Sequence, residues 1–135
     1  MSLFSNPVML SLSKGLDAGA LRQRVIANNI ANIDTPGYKK SFVTFEGLLK
    51  NVLKNDAAGM VTTHPKHFGG VSSLTELKPG VHRNNATSMR TDGNNVDIDE
   101  EMVNLAANGI KYQATSRQVS DRISLLTYVV TGGRR

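Results

Sequence analysis

The chain has 135 residues, the length of one ordinary domain, yet only 5% of them are aromatic and none is Trp. So little large apolar surface favours an elongated or partner-dependent fold over a compact globule. The absence of Cys excludes disulfides and thiolate metal sites, and the net charge of +5 comes from scattered Lys and Arg that do not form a nucleic-acid-binding patch.

The first predicted element is a helix from about Pro7 to Asn32. Its seam positions follow alternating steps of three and four, the spacing of a coiled-coil seam: Met9, Leu12, Leu16, Gly19, Gln23, Ile26, Ile30 and Ile33. Asn6 can cap the first turn, and Pro7 suits the first helical position because its missing N–H needs no partner there. Pro36 and Gly37 predict a turn that ends the segment.

The middle region, residues 37–96, has a different pattern. Five apolar residues have helical spacing and predict a short amphipathic helix at about 41–54: Phe42, Phe45, Leu49, Val52 and Leu53. Residues 55–96 are rich in Gly, Pro, Asn, Thr and Ser, which predicts loops with extended or β-like segments.

The last predicted element is a helix from Ile98 to Thr131. It repeats the seam spacing without a slip at Ile98, Met102, Leu105, Gly109, Tyr112, Ser116, Val119, Ile123, Leu126 and Val130. Asp97 and Glu100 form a capping box at its start, and glycines 132 and 133 end it. Such a helix is about 50 Å long, more than a compact domain of this size usually holds.

Both seams have large apolar residues toward their ends and small or polar residues in their middle. Gly19 and Gln23 interrupt the first seam, and Gly109 and Ser116 interrupt the second. A glycine inside a helix costs about 1 kcal/mol relative to alanine, so neither helix is expected to be robust alone. The small residues indicate either close helix approach within an assembly or a loosely packed two-helix core.

The expected fold is therefore mainly α, with long terminal helices forming a coiled-coil-like pair around a short helix and an irregular, β-like middle. Three parts are expected: residues 1–36 as an assembly helix with its terminator, residues 37–96 as the middle region, and residues 97–135 as a second assembly helix.

No motif for catalysis or cofactor binding is present. His64 and His67 are the closest pair of possible metal ligands, but Pro65 opposes helical presentation and no further ligand has suitable spacing, which favours ordinary loop histidines over zinc. Helix capping explains the acidic residues at 97–101, and the EF-hand order is absent. Without a phosphate-binding loop or a nucleophile elbow, the chain is predicted to be no enzyme and to use no cofactor.

The segment 27–39, with the sequence ANNIANIDTPGYK, is the most specific string in the chain. As chemistry it is a helix terminator, whose asparagines can satisfy backbone groups locally or bond to a neighbouring chain. As a string it resembles the amino-terminal signature of the axial proteins of the bacterial flagellum, which include rod, hook and hook-associated proteins. The stretch from Gly93 to Met102 narrows the resemblance to the short proximal rod proteins, and among these to the group lettered B rather than C or F. The resemblance is weakest at residues 55–90.

This resemblance implies a structural subunit of the basal-body rod, polymerising through its terminal helices within the periplasm to transmit torque. The implied partners are further copies, other rod proteins, and the membrane ring and export gate at the rod base, with no nucleic acid and no small-molecule substrate. The implied route is flagellar type III export of a chain whose termini are largely disordered before assembly. That route agrees with an amino terminus that lacks a cleavable Sec signal. A soluble helical adaptor of the cytoplasm is the alternative.

The predicted assembly interface combines both seams and the asparagines near the first helix end: Leu12, Leu16, Ile26, Asn28, Asn29, Ile30, Asn32, Ile33, Met102, Leu105, Tyr112, Val119, Ile123 and Leu126. The residues that carry the family motif are Thr35, Pro36, Gly37, Tyr38, Lys39, Gly93, Asn94, Asn95, Val96 and Asp97.

Overall fold

The structure is a computed structural model of the chain. It describes residues 6–58, 73–86 and 90–133, and at 55–58 it describes the backbone alone. The elements in chain order are α1 (Pro7–Ala31), β1 (Ser41–Thr44), α2 (Glu46–Ala58), β2 (Gly80–Arg83) and α3 (Ile98–Val130). The fold is mainly helical, and the long first and last helices pack together, which confirms the predicted fold class.

The first helix begins where the capping signals predict. The Asn6 side-chain oxygen accepts a hydrogen bond from the Val8 N–H at 2.9 Å, and Pro7 occupies the first helical position. This cap satisfies one of the amide groups that a helix start leaves without an intrahelical partner. The observed end at Ala31 lies one residue before the predicted end.

The last helix is capped by Asp97, whose carboxylate accepts from the Asp99 N–H at 2.9 Å and the Glu100 N–H at 3.4 Å. It ends at Val130, one residue before the predicted end, and glycines 132 and 133 follow with φ of 62° and 79°. A positive φ favours glycine, because other residues meet steric strain there. The capping residues therefore fixed both ends of this helix.

The predicted helix at about 41–54 is wrong at its start, because Ser41–Thr44 forms the strand β1 instead. Phe42, Val43 and Thr44 are aromatic or β-branched residues that suit a strand. β1 pairs with β2 in antiparallel register, with Phe42 opposite His82 and their ring centroids 5.8 Å apart. The helical spacing holds only from Phe45 onward, and α2 runs to Ala58.

The hydrophobic core lies between α1, α2 and the turn before β2. It consists of Ala18, Phe45, Val52, Leu74 and Leu77, and Leu10 and Leu49 pack against it. Ala18 and Leu10 of α1 thus pack into this cluster, and among the described residues α3 contributes no side chain to it.

A surface ion pair joins α1 to the start of α2. Arg22 Nη2 lies 2.8 Å from both carboxylate oxygens of Glu46. Burial raises the pKa of Glu46, but a backbone hydrogen bond and the Arg22 charge outweigh it, and the pKa lies below its usual value. Because the Glu46 side chain is 60% exposed, the pair contributes little to stability.

α1 and α3 run antiparallel and approach closely where α1 has glycines. An ideal Cβ at Gly15 would lie 3.8 Å from Thr115 Cγ2, and one at Gly19 would lie 3.0 Å from Tyr112 Cδ2. The second distance is tighter than ordinary van der Waals contact, so a side chain at Gly19 would push Tyr112 away. The close approach that the small residues permit therefore occurs within the chain.

We expect Leu77→Ala to lower the free energy of unfolding by about 3 kcal/mol, because it leaves a cavity among the core residues. Leu77 is fully buried, whereas Leu53 on α2 is 49% exposed. Leu53→Ala is the matched control and should change the free energy by less than about 1 kcal/mol. Urea unfolding followed by circular dichroism measures both values, and equal losses would contradict the placement of the core.

Candidate functional site: the polar clasp and the overhang of the last helix

The two motif segments, residues 27–39 and 92–97, meet at one end of the helix pair. The Gly37 N–H donates to the carbonyl oxygen of Asp92 at 2.8 Å. Gly37 and Gly93 have φ of 71° and 75°, and an ideal Cβ at Gly93 would lie 3.8 Å from the Gly37 Cα. We call the side chains that join the segments the polar clasp: Asn29, Lys40, Asn94, Asn95 and Glu101.

Asn94 closes the carboxyl end of α1. Its Nδ2 lies 2.9 Å from the carbonyl oxygens of Asn32 and Ile33 and 3.0 Å from that of Thr35. Its Oδ1 accepts from the Val96 N–H at 2.8 Å, and the residue is fully buried. One amide therefore satisfies carbonyl groups that a helix end and its turn leave without partners.

Asn29 occupies the edge of β1. Its Nδ2 donates to the Ser41 carbonyl oxygen at 2.8 Å, and its Oδ1 accepts from the Ser41 N–H at 3.0 Å. The same amide donates to Glu101 Oε2 at 2.9 Å and accepts from the Tyr38 hydroxyl at 3.2 Å. Asn29 thus pairs with Ser41 as a neighbouring strand would, and uses its side-chain bonding capacity inside the chain.

Asn95 extends the ladder between β1 and β2. Its Oδ1 accepts from the Lys40 N–H at 2.7 Å, and its Nδ2 donates to the Asn84 carbonyl oxygen at 3.0 Å. Asn84 in turn donates its N–H to the Lys40 carbonyl oxygen at 2.8 Å. The segment before α3 is therefore bonded into the strand pair through a side chain.

Lys40 links the strand pair to the first turn of α3. Its Nζ lies 2.6 Å from Glu100 Oε1 and 3.2 Å from Glu101 Oε1. Burial lowers the pKa of Lys40, but the hydrogen bonds and charges of the two carboxylates outweigh it and hold the pKa above its usual value. The Glu101 side chain is only 2% exposed, so Lys40 and Asn29 compensate a buried charge.

The neighbouring Lys39 bonds to the segment between β2 and α3. Its Nζ donates to the Gly93 carbonyl oxygen at 2.8 Å and to the Ala86 carbonyl oxygen at 3.2 Å. Both lysines of the motif region thus hold the two segments together with their charged ends.

Polar side chains continue along the face of α3 that meets α1. Asn108 is 3% exposed, and its Nδ2 donates to the Gly19 carbonyl oxygen at 3.0 Å and to Gln23 Oε1 at 2.9 Å. Its Oδ1 has no hydrogen-bond partner among the described residues. The sequence did not predict Glu101 and Asn108 as functional residues. Their spacing of seven, which Thr115 continues, is a heptad of polar positions that could have indicated them.

The predicted interface residues divide between covered and exposed positions. Nine are buried or half-buried: Leu12, Leu16, Ile26, Asn29, Ile30, Asn32, Ile33, Leu105 and Val119. Five are exposed: Asn28, Met102, Tyr112, Ile123 and Leu126. The set on α1 is thus largely covered within the chain. Most of the set on α3 is exposed, although the Tyr112 ring also lies against Gly19 of α1.

The end of α3 extends past the start of α1. With Asn29 beside Glu101 and Gly15 beside Thr115, the antiparallel register brings Pro7 level with about Ile123. All residues from 120 to 130 are exposed, and we call this part of α3 the overhang. Leu126, seven residues after the half-buried Val119, continues the face that packs on α1, and Ile123 and Val130 lie beside it; their exposed fractions are 39%, 46% and 85%, respectively.

In the described part of the chain, no group of three acidic or histidine residues is arranged to hold a metal ion. His64 and His67 lie outside the described residues, and His82 is exposed on β2. Within the same ranges, no helix is both long enough and apolar enough to cross a membrane.

We expect Asn94→Asp to lower the free energy of unfolding by about 2 kcal/mol or more, because a carboxylate replaces the donor that faces three carbonyl oxygens. The Val96 N–H keeps its acceptor in this variant. Asn104→Asp adds the same charge at an exposed position of α3 and should have a small effect. Urea unfolding separates the two variants, and an unaffected Asn94→Asp protein would disprove the capping role.

Lys40→Met should lower the free energy of unfolding by about 3 kcal/mol at neutral pH, because it leaves the Glu101 charge buried without its cation. The folded-state pKa of Lys40 lies above its ordinary value of 10.5. Its contribution is therefore fully present below pH 10.5 and disappears as pH rises through the folded-state value. Urea unfolding of both proteins between neutral and strongly alkaline pH should show the difference narrowing only at the alkaline end. Glu100→Gln, at the exposed carboxylate, is the control and should have a smaller effect.

Comparison with known proteins supports the resemblance seen in the sequence. Residues 9–39 match the family model described as flagella basal body rod protein. The chain is 38% identical over 134 residues to the flagellar basal body rod protein FlgB of Bacillus subtilis (strain 168), covering 99% of this chain and 100% of that protein. It is 40% identical over 117 residues to FlgB of Borrelia hermsii, covering 83% and 86%, and 33% identical over 125 residues to FlgB of Escherichia coli (strain K12), covering 89% and 90%. The chain therefore belongs to the FlgB family of flagellar basal body rod proteins, which are structural proteins rather than enzymes.

Proposed function

We propose that the chain polymerises through its terminal helices in the proximal rod, within the periplasm, and there transmits torque. The observation that carries this proposal is the overhang, an apolar helix end that no described residue of the chain covers. The relatives compared above are basal body rod proteins by name, which supports assembly with other rod components.

The overhang offers a neighbouring helix an apolar face that begins at the half-buried Val119. Val119, Ile123, Leu126 and Val130 are spaced by four, three and four residues along that face. Complete burial of one such side chain stabilises an association by about 1.5 to 3 kcal/mol relative to full exposure. A few such contacts in each subunit, repeated along a polymer, give a joint that resists twisting.

The polar clasp has a complementary part in this proposal. A subunit that transmits torque must not let its own helices slide past one another. The buried bonds of Asn29, Asn94 and Glu101 connect α1, β1 and α3, so sliding by one turn would leave several buried polar groups unpaired. The clasp therefore keeps the overhang at a fixed position relative to the rest of the subunit.

We also propose that the chain reaches the rod by flagellar type III export without a cleavable Sec signal, and that the rod base meets the membrane ring and export gate. A chain without Cys has no disulfide to reduce before export in an unfolded form. Family membership supports these partners.

The test of location is whether the tagged chain co-purifies with basal bodies after cell fractionation; recovery in the cytoplasm alone would favour the adaptor alternative.

We expect Leu126→Asp to abolish or strongly reduce swimming and incorporation into basal bodies, because the charge lies on the face offered to a neighbour. Leu126 is already exposed in the single chain, so its urea unfolding should change by less than about 1 kcal/mol. Leu125→Asp is the matched control, because Leu125 is 60% exposed on a different side of the same helix. Equal loss of function in both variants would contradict the proposed face, and normal function in both would contradict an assembly role for the overhang.

A further inference from the structure

In the middle of α3, Asn108 is followed directly by Gly109. Asparagine before glycine is the pair that deamidates most readily, because glycine has no side chain to hinder approach of its backbone nitrogen. We propose that this pair is a covalent modification site that is reactive in the unpaired chain and protected when α3 packs on α1.

The reaction needs no enzyme and no cofactor. The backbone nitrogen of Gly109 attacks Cγ of Asn108, a new N–C bond forms, and the bond from Cγ to Nδ2 breaks. Ammonia leaves and carries away the proton lost by the backbone nitrogen. Water then opens the resulting succinimide at either carbonyl, giving aspartate or isoaspartate at position 108.

The folded structure blocks the first step in two ways. In an α-helix the Gly109 N–H donates to the carbonyl of Leu105, and the local backbone cannot turn that nitrogen toward Cγ without leaving the helix. The leaving nitrogen is also held, because Asn108 Nδ2 donates to the Gly19 carbonyl oxygen and to Gln23 Oε1. With 3% exposure, the residue also has little access to the water that completes the reaction.

The product is incompatible with the helix pair. A carboxylate at position 108 has no N–H to donate, so it would place negative oxygen against the Gly19 carbonyl and Gln23 Oε1. The existing Oδ1 already has no hydrogen-bond partner among the described residues, so no donor is in place to bond the new carboxylate. A chain that ages unpaired would thus lose its ability to pair. Loss of rod assembly as the consequence rests on the proposed function, whereas the protection rests only on the packing of α3 and α1.

The test follows deamidation of the full-length chain at mildly alkaline pH across a series of urea concentrations. Peptide mass spectrometry measures conversion at Asn108 and, within the same helix, at the exposed Asn104, which precedes Leu105. We expect the deamidation rate at Asn108 to increase with the unfolded fraction of the chain, which circular dichroism measures as loss of helix. The rate should rise at least about tenfold on full unfolding, as expected for a reaction that requires local opening. Asn104 should remain slow throughout.

Gly109→Ala is the matched variant, because an ideal Cβ at Gly109 meets nothing within 4 Å and alanine favours the helix. It should react slowly even in urea. The proposal is overturned if the rate at Asn108 is the same at every urea concentration, or if Gly109→Ala reacts as fast as the natural chain.

A second measurement tests the product. Asn108→Asp should unfold at clearly lower urea than the natural chain, whereas Asn104→Asp should unfold close to it. Unchanged stability of Asn108→Asp would overturn the claim that deamidation disables pairing. Because none of these measurements uses motility, failure of the rod proposal would leave their interpretation intact.

Discussion

The structure depends on the way that buried asparagine side chains replace missing backbone partners. A helix end leaves carbonyl groups unpaired, and an edge strand leaves one row of N–H and C=O groups unpaired. Asn94 bonds to the end of α1, and Asn29 bonds to the edge of β1. These bonds bring segments from distant parts of the chain together, and they fix where α3 begins relative to α1. The length of the overhang follows from that register.

Polar side chains fix the register of the two long helices for the same reason. Apolar side chains attract without direction, so a purely apolar pair could shift by one turn, about 5.4 Å, at small cost. Asn108 and Glu101 oppose that shift, because it would leave their hydrogen-bonding partners buried and unpaired. Buried polar residues reduce stability relative to a well-packed apolar seam but specify one register. A subunit with a small core and few aromatic residues thus obtains a defined geometry from directional bonds.

The sequence predicted both long helices to within one residue, because caps, Pro7 and the terminal glycines act locally. It did not predict β1, whose conformation depends on β2 and on the distant Asn29 side chain. It also did not predict which face of α3 meets α1. Half of the predicted seam lies one residue too late: the observed contacts include residues 101, 108 and 115 rather than 102, 109 and 116. Hydrophobic periodicity could not find them because all three residues, Glu101, Asn108 and Thr115, are polar.

The proposed function explains the one-residue difference between the predicted seam of α3 and its observed contacts with α1. Apolar periodicity in a sequence reflects burial in the state in which the protein works, not only burial within one chain. In α3 the hydrogen bonds to α1 come from the polar residues Glu101 and Asn108, while Met102, Ile123 and Leu126 remain exposed. Residues that fix the internal register and residues that meet a neighbour therefore occupy largely different positions. Such a division lets a subunit gain apolar contacts on assembly without breaking the bonds that hold its own helices in place.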